Sequence, residues 1–404
     1  KYSEASSQLD NLSSYISRPI EFEGSIPNVR PDETYEWPQP LTAFLGVAGG
    51  GKSEEIKNDV GLMRPLFLCP THKNKQYVLT DYSQRDHEVV TRVETEALIR
   101  IGQDFKQQRE FLSCGVVVID EISFMHMESI NIFREKFKYQ KIILMGDPLG
   151  QLPAVDNRAP ELKKKNPLTR CTVQRVKELT TLIHEQVVPC FIRNFNTMYR
   201  CKDCDTLKTI LWNVREIYEQ YKDGTEQGEI KAETTAVAYV REQFKELGRI
   251  KSIEDVKQNY TINDYVLVAT RNLMDAYTTM LSRHLGEDCN KYRVESKLDA
   301  GGVKMFNGDI LITLPDRIML NGHDVDVDIE KIKHVLRPAH AFTAHSVQGE
   351  TINENIYIDT DRIFECGAIY TALSRATSIN SLNLIDSTPD TRVKRKAMGV
   401  PLDY

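Results

Sequence analysis

One eight-residue run restricts the fold of this chain more than any other feature. It is Gly46-Val-Ala-Gly-Gly-Gly51-Lys52-Ser53, at the end of an apolar stretch that begins at Thr42. The run fits G-x-x-x-x-G-K-[ST], which needs a strand before it and a helix after it. Its glycines let backbone N–H groups turn inward around phosphate oxygens. Lys52 would reach the β and γ phosphates and the Ser53 hydroxyl would ligate Mg2+, while the start of the next helix adds its positive end. Gly49, Gly50, Gly51, Lys52 and Ser53 are therefore the expected phosphate contacts. Alone, the run licenses only a nucleoside triphosphate site.

The surrounding pattern supplies the sheet that such a loop requires. Apolar runs at Thr42–Val47, Leu66–Cys69, Val116–Ile119 and Ile142–Met145 are short and apolar throughout, as strands covered on both faces are. Helix-compatible stretches such as Ser53–Asp59 and Met127–Phe137 lie between them. Strands alternating with helices predict a parallel, doubly wound sheet, with ligands at the carboxyl ends of its strands. The segment Asn157–Asn194, with Lys163, Lys164 and Lys165, reads as a connector. Leu207, Ile210, Leu211 and Val214 follow at helical spacing. A second set of runs, Tyr265–Ala269, Ile310–Leu314, Asn355–Ile358 and Leu382–Ile385, predicts a second sheet and a cleft between the two.

Composition excludes little. The 404 residues suffice for two or three domains, and the net charge of −6 gives no sign of nucleic acid. No apolar run approaches a membrane span, so no membrane role is expected. Eight Cys form no regular framework, and the lone pair Cys201/Cys204 is better read as reduced thiols of an intracellular protein than as a metal site. A chain without a starting Met is expected to be a piece of a longer polypeptide.

Two more segments complete an ATPase pattern. In Val116-Val-Val-Ile119-Asp120-Glu121 an apolar strand delivers Asp120 to Mg2+, and Glu121 can polarise an attacking water. In Gly146-Asp147-Pro-Leu-Gly-Gln151, Gln151 can sense the γ phosphate or position water.

The order GVAGGGKS, FLCPTHKNK, VVVIDEISF, GDPLGQLPAV, YRCKD, FTAHSVQGETI, YTALSRATS resembles superfamily 1 helicases, and most of all the 1B branch of Pif1, RecD and Dda-like enzymes. The likeness covers residues 42 to 386 and keeps seven motifs in order. It implies an α/β fold of two RecA-like P-loop NTPase domains in tandem with small accessory insertions. The expected layout is an N-terminal extension over 1–40, domain 1A over 41–190 with a short 1B insertion near 76–89, and domain 2A over 191–404 with an SH3-like 2B insertion within 282–340. It implies ATP and Mg2+ between the domains, single-stranded DNA across both, forked duplex as substrate and 5′→3′ movement. By matching motif, Asp120 is the metal-associated acid and Glu121 the catalytic base. Gln151 couples ATP state to the nucleic-acid site. Arg200 and Arg375 are arginine fingers of the second domain, reaching ATP only when the cleft shuts. Gln348, Gly349 and Glu350 contact ATP. Pro70, Thr71 and His72, with Thr343, His345 and Ser346, contact the nucleic-acid backbone, where contacts carry no sequence information. Asn307-Gly308-Asp309 is a turn signal of structural kind.

There are departures. One extra residue precedes Gln151, and the glutamine that usually reads adenine is not identifiable, with Gln39 a bare candidate. A viral superfamily 1 RNA helicase or RNA triphosphatase, a vestigial binding module and a small-molecule kinase are the alternatives. The kinase leaves QGET and LSRATS without a role, and intact Lys52, Glu121, Arg200 and Arg375 oppose the vestigial module. The expected setting is a replication site in cytoplasm or nucleus, or host cytoplasm if the source is a large DNA virus. Replication proteins, or a primase-type domain before Lys1, are the expected partners.

Overall fold

In the computed structural model, residues 21–22, 41–60, 64–84, 88–101, 111, 113–137, 140–147, 149–150, 152, 190–221, 226–286, 289–363 and 365–386 are described. The first unit is built on strands β1 (Glu21–Phe22), β2 (Leu41–Gly46), β3 (Pro65–Cys69), β4 (Val90–Val93), β5 (Val116–Ile119), β6 (Lys141–Gly146) and β7 (Cys190–Phe195), in spatial order β1-β7-β2-β6-β5-β3-β4. All pairings are parallel.

The strands read as unbroken apolar runs because both faces are buried. Val117, Ile119, Ile142 and Leu144 enter one core, while Val116, Val118, Ile143 and Met145 enter another on the opposite face. This is the two-residue alternation of a strand with no solvent side. The crossing helices are α1 (Lys52–Val60), α2 (His72–Gln84), α3 (Glu94–Ile101) and α4 (Met127–Lys136).

Two boundaries differ from expectation. β7 belongs to the first sheet, paired to β2 from Leu41↔Cys190 to Gly46↔Phe195, so that sheet runs to Phe195 rather than ending at 190. Of residues 76–89, where a short insertion was expected, 76–84 are the second half of α2, which crosses from β3 to β4 and packs Tyr82 on Phe67 with ring centroids 5.4 Å apart, and 85–87 lie outside the described residues. Thus 76–84 form an ordinary crossover. Gln39, Gln151, the run Lys163–Lys165 and the tail beyond Asp386 lie outside the described residues.

The second unit begins with α5 (Asp205–Gln220) and α6 (Glu226–Glu246), followed by β8 (Ile250–Lys251), α7 (Ile253–Asn259), β9 (Tyr265–Val268) and α8 (Arg271–Leu285). Ser252 and Asp255 form a capping box at the start of α7, and the Thr270 side chain caps α8.

A small antiparallel module then interrupts the sheet. It contains β10 (Asn290–Val294), the hairpin β11 (Leu298–Ala300) and β12 (Val303–Met305), β13 (Ile310–Thr313), β14 (Ile318–Leu320), β15 (His323–Val325), a short helix α9 (Ile329–Ile332) and β16 (Leu336–Pro338). Its five-stranded order is β15-β14-β13-β10-β16. Ile310–Leu314, expected in the second parallel sheet, is the centre of this module instead, because Leu311 packs with Val294, Met305 and Val335 in a separate core. Gly308 takes φ 98°, and the Asp309 carboxylate accepts from Phe306 N and Asn321 Nδ2 at 2.7 and 3.0 Å, so this turn is structural.

The chain returns through β17 (Ala341–Thr343), β18 (Ile356–Asp359), α10 (Ala368–Leu373) and β19 (Leu382–Ile385), giving the parallel order β17-β9-β18-β19-β8. One face of this sheet (Leu267, Ile358, Leu384) is covered by α5, α6 and α10, and the other (Val266, Val268, Tyr357) by α7 and α8. The first of these cores crosses between the units: Val47 of the P-loop and Leu152 are fully buried members of it. Each such side chain contributes about 2 kcal/mol by burial, so the units are held in contact by packing as well as by polar groups.

Candidate active site between the two sheets

Every expected motif of the first unit sits at a strand's carboxyl end. β2 delivers the P-loop, in which Gly49 and Gly51 take φ 68° and 85°, a region that only glycine enters without strain. Glycine at 49 has a second reason, since a Cβ there would lie 2.6 Å from the Cβ of Arg200. The loop is tied to the segment after β7: Val47 N donates to Phe195 O at 3.0 Å and Tyr199 N to Gly49 O at 2.9 Å. Lys52 Nζ is folded into the loop, donating to Gly46 O at 2.8 Å and Val47 O at 2.9 Å. Burial lowers its pKa, and Asp147 and Glu121 oppose that shift. Ser53 Oγ lies 3.9 Å from Met145 Sδ at the end of β6.

Asp120 follows β5 and is fixed by its N–H donating to Leu68 O at 3.0 Å. Burial, and then the neighbouring Glu121 carboxylate, hold its carboxyl well above the ordinary carboxylate range. Glu121 adopts φ 50°, ψ 53°, a left-handed conformation costly for a side-chain-bearing residue. It turns the chain into the short 3-10 turn Ile122–Phe124, and its Oε2 is buried with no hydrogen-bond partner among the described residues. Two crowded carboxylates beside one hydroxyl are the donor set that Mg2+ takes. Ser53 and Asp120 would hold the ion, which would neutralise charge on the β and γ phosphates.

The two arginines reach the site from different places. Arg200 stands on the segment pressed against the P-loop, not deep in the second unit, and its Nη1 donates to Ser374 O at 2.6 Å. Arg375, at the end of α10, is 1% exposed and held through backbone oxygens: Nε to Thr371 O at 2.9 Å and Nη1 to Glu350 O at 3.1 Å, with Nη2 to Ser374 Oγ at 2.8 Å. Burial and then the Arg200 charge lower its pKa to about 9, with Glu121 acting the opposite way. Glu121 likewise opposes the burial that depresses Arg200. Both guanidiniums and the expected base thus share one electrostatic neighbourhood across the cleft.

The same place joins the expected nucleic-acid residues to the chemistry. Pro70, Thr71, Asn74, Glu121, Phe124, His345 and Gln348 line a cavity of about 10 Å3. Both amide atoms of Gln348 are buried there without hydrogen-bond partners among the described residues, which suits a group awaiting a ligand or a shift of its loop. Gly349 backs onto Asn74, with space for no Cβ (2.9 Å to the amide nitrogen), so the second unit touches α2 here. Glu350 contributes its backbone carbonyl to Arg375. The His345 ring lies 6.1 Å from the Phe124 ring, and Ser346 Oγ closes a local turn on Thr343 O at 2.7 Å. His72 opens α2 as an exposed residue. A groove of about 290 Å3 lined by Arg293, Asn307, Arg337 and Phe342 lies between the antiparallel module and the second sheet, one residue from Thr343.

Three further residues bear on the site, and only Tyr199 lies in a motif, the YRCKD run, where it was given no role. Tyr199 is 58% exposed, and a Cβ on Gly51 would lie 3.4 Å from its ring. Arg215 of α5 pairs with the fully buried Asp147 through Nη1, at 2.7 and 2.6 Å to its two oxygens. Tyr370 of α10 stands with its ring 5.6 Å from the Arg215 guanidinium, and its hydroxyl accepts from Ala48 N at 3.4 Å. Nothing in spacing marks Arg215 or Tyr370, because their partners Asp147 and Ala48 lie more than 60 residues away and in the other unit.

Two parallel α/β sheets in series carry a P-loop and an acid pair on the first, Arg375 on the second and Arg200 on the segment that joins them. No family model matches the chain. Over 387 residues, 86% of this chain, it is 24% identical to the ATP-dependent DNA helicase PIF1 of Xenopus laevis, and it spans 59% of that protein's length. A 78-residue stretch is 32% identical to the ATP-dependent DNA helicase RRM3 of Saccharomyces cerevisiae, covering 19% of this chain and 11% of that protein. Among solved structures, Pif1 helicase from Bacteroides in complex with ADP-AlF3 and ssDNA aligns over 89% of this chain and 94% of its own, with a TM-score of 0.51 at 16% identity. Pif1 helicase from Candida albicans aligns over 89% and 96%, with a TM-score of 0.50 at 14% identity. The chain is thus similar in sequence to Pif1-type DNA helicases and shares the fold of solved Pif1 helicases.

Proposed function

We propose that this chain is an ATP-driven motor that translocates on single-stranded DNA and unwinds forked duplex DNA. The observation that carries the reading is that Arg200 stands against Gly49 of the P-loop while its guanidinium reaches Ser374 O, beside Arg375 of the second unit. Lys52 binds the β and γ phosphates, Glu121 orients and deprotonates the attacking water, and the two arginines stabilise charge on the transferring phosphoryl group. Tyr199, exposed beside Gly51, stacks on the base, a contact indifferent to base identity. DNA runs over Pro70, Thr71 and His72 onto Thr343, His345 and Ser346. Because Glu121 and Gln348 line one cavity with Thr71 and His345, a strand drawn against those loops acts on the catalytic groups directly. Polarity is 5′→3′, and the motor works inside the cell at a replication site with replication proteins or an attached primase-type domain.

Two features favour DNA over RNA as the substrate: the similarity to relatives named as DNA helicases, and a structural neighbour complexed with ssDNA. The test is ATP hydrolysis titrated with single-stranded DNA and with RNA, followed by unwinding of 5′- and 3′-tailed duplexes. DNA-stimulated hydrolysis with opening of the 5′-tailed duplex is expected. Hydrolysis indifferent to both nucleic acids sinks the proposal, and stimulation by RNA alone transfers it to RNA.

A further inference from the structure

The Arg215–Asp147 pair has no part in the chemistry above, yet it is among the most enclosed charged contacts between the two units. Asp147 follows Gly146, which is paired with Leu45 in the register of β6 and β2. It therefore stands level with Gly46, whose carbonyl oxygen accepts from Lys52 Nζ. Gly150 N donates to Asp147 Oδ1 at 3.1 Å, fixing the loop that leads on to Leu152. From the second unit, Arg215 covers both carboxylate oxygens while its guanidinium lies over the rings of Trp212 and Tyr370.

We propose that Arg215 is a positioning residue that occupies the Asp147 carboxylate and so keeps Lys52 free for phosphate, making nucleotide binding conditional on the second unit being in place. The chemistry is a competition for one cation. A buried carboxylate without its partner takes the nearest available positive charge. Here that charge is the Lys52 ammonium, which opens α1 and is bonded to Gly46 O at the end of the adjacent strand. When the second unit withdraws, Arg215 leaves with α5, Asp147 captures Lys52 and the P-loop loses its phosphate ligand. Closure and nucleotide affinity are thereby linked before any hydrolysis takes place.

This inference rests on the P-loop being a nucleotide site, as proposed above, but needs neither DNA nor turnover. The test is the affinity of the full chain for a fluorescent ADP analogue with Mg2+, compared among the parent, Arg215→Gln, Asp147→Asn and the double variant, with thermal unfolding recorded for each. Arg215→Gln is expected to weaken binding by about tenfold or more, and the double variant to return to within about threefold of the parent. A merely structural ion pair predicts no such rescue, since the double variant lacks the pair as well. A double variant that binds no better than Arg215→Gln, or an Arg215→Gln that binds like the parent, overturns the proposal. If Arg215→Gln does not fold, Asp147→Asn decides: binding at least as tight as the parent's supports the competition, and weaker binding overturns it. A parent that binds ADP but whose hydrolysis ignores DNA removes the motor reading and leaves this one standing.

Discussion

The two walls of the cleft are made in different ways. On the first sheet the catalytic groups sit on tight loops at strand ends, each within a few residues of the run that positions it: Lys52 and Ser53 after β2, Asp120 and Glu121 after β5. On the second, the Arg375 guanidinium is held by Thr371 and Ser374 nearby and by Glu350 O from 25 residues away, and the helix before it is pinned over a long range by Glu233 of α6. Glu233 accepts from Gly367 N and Ile369 N at 3.0 and 2.7 Å and from Tyr218 Oη at 2.6 Å. The first wall is thus a local device that binds nucleotide, while the second is a tertiary device whose position depends on packing two helices away. For the motor proposed above this asymmetry is useful, because the wall that moves should be the one whose placement responds to the rest of the molecule.

The largest expected effect comes from breaking the local wall. Lys52→Ala should abolish measurable ATP hydrolysis, with loss of about 10^3-fold or more in kcat/KM, read by phosphate release. Glu121→Gln should lower kcat to a similar degree while nucleotide remains bound, because it removes the base and one of two crowded negative charges. A Glu121→Gln chain that hydrolyses ATP normally would place the base elsewhere.

Arg375→Lys should come next. Lys keeps one charge but not the fork that reaches three acceptors, so a fall of about 10^2 to 10^3 in kcat with nucleotide affinity near the parent's is expected in stopped-flow hydrolysis. Equal losses in binding and turnover would show that the second wall binds nucleotide as the first does, erasing the contrast. Tyr199→Ala should be milder, raising the KM for ATP by about tenfold with little change in kcat, since stacking on the base is the same in ground and transition states.

The smallest effect concerns the support of the second wall. Burial raises the Glu233 carboxyl from 4.5 to about 7, with the hydrogen bonds from Tyr218 and the backbone opposing. The folded chain therefore holds a proton that the unfolded chain gives up between those values. The stability from this group is complete below about pH 4.5 and is lost as pH rises through about 7. Thermal unfolding of Glu233→Gln across that window should show a flatter pH dependence than the parent. Identical slopes would mean that the carboxyl titrates alike in the folded and unfolded chains.

Much of the first unit was legible residue by residue. Val116–Ile119 and Ile142–Met145 announced themselves as doubly buried strands, and the glycines of 46–51 marked a loop that must approach phosphate. β7 was not legible, because Cys190–Phe195 carries Arg193 and Asn194 on an apolar background and becomes a strand only by pairing with β2. Ile310–Leu314 looked like its counterparts in the second sheet because a fully apolar strand reads the same in an antiparallel module as in a parallel one. At the site, motif order indicated Arg200 and Arg375, but not that Arg200 would rest on Gly49 or that Arg375 would be fully enclosed.

The sequence by itself determined the local chemistry of the P-loop and of the acid pair, since backbone conformation and strand termini are set by neighbours a few residues away. The tertiary structure alone decided what that loop is joined to: Val47 in the core of the other unit, Tyr199 over Gly51, Arg215 on Asp147. Such contacts depend on where two sheets come to rest against each other, and no periodicity within either sheet encodes that distance.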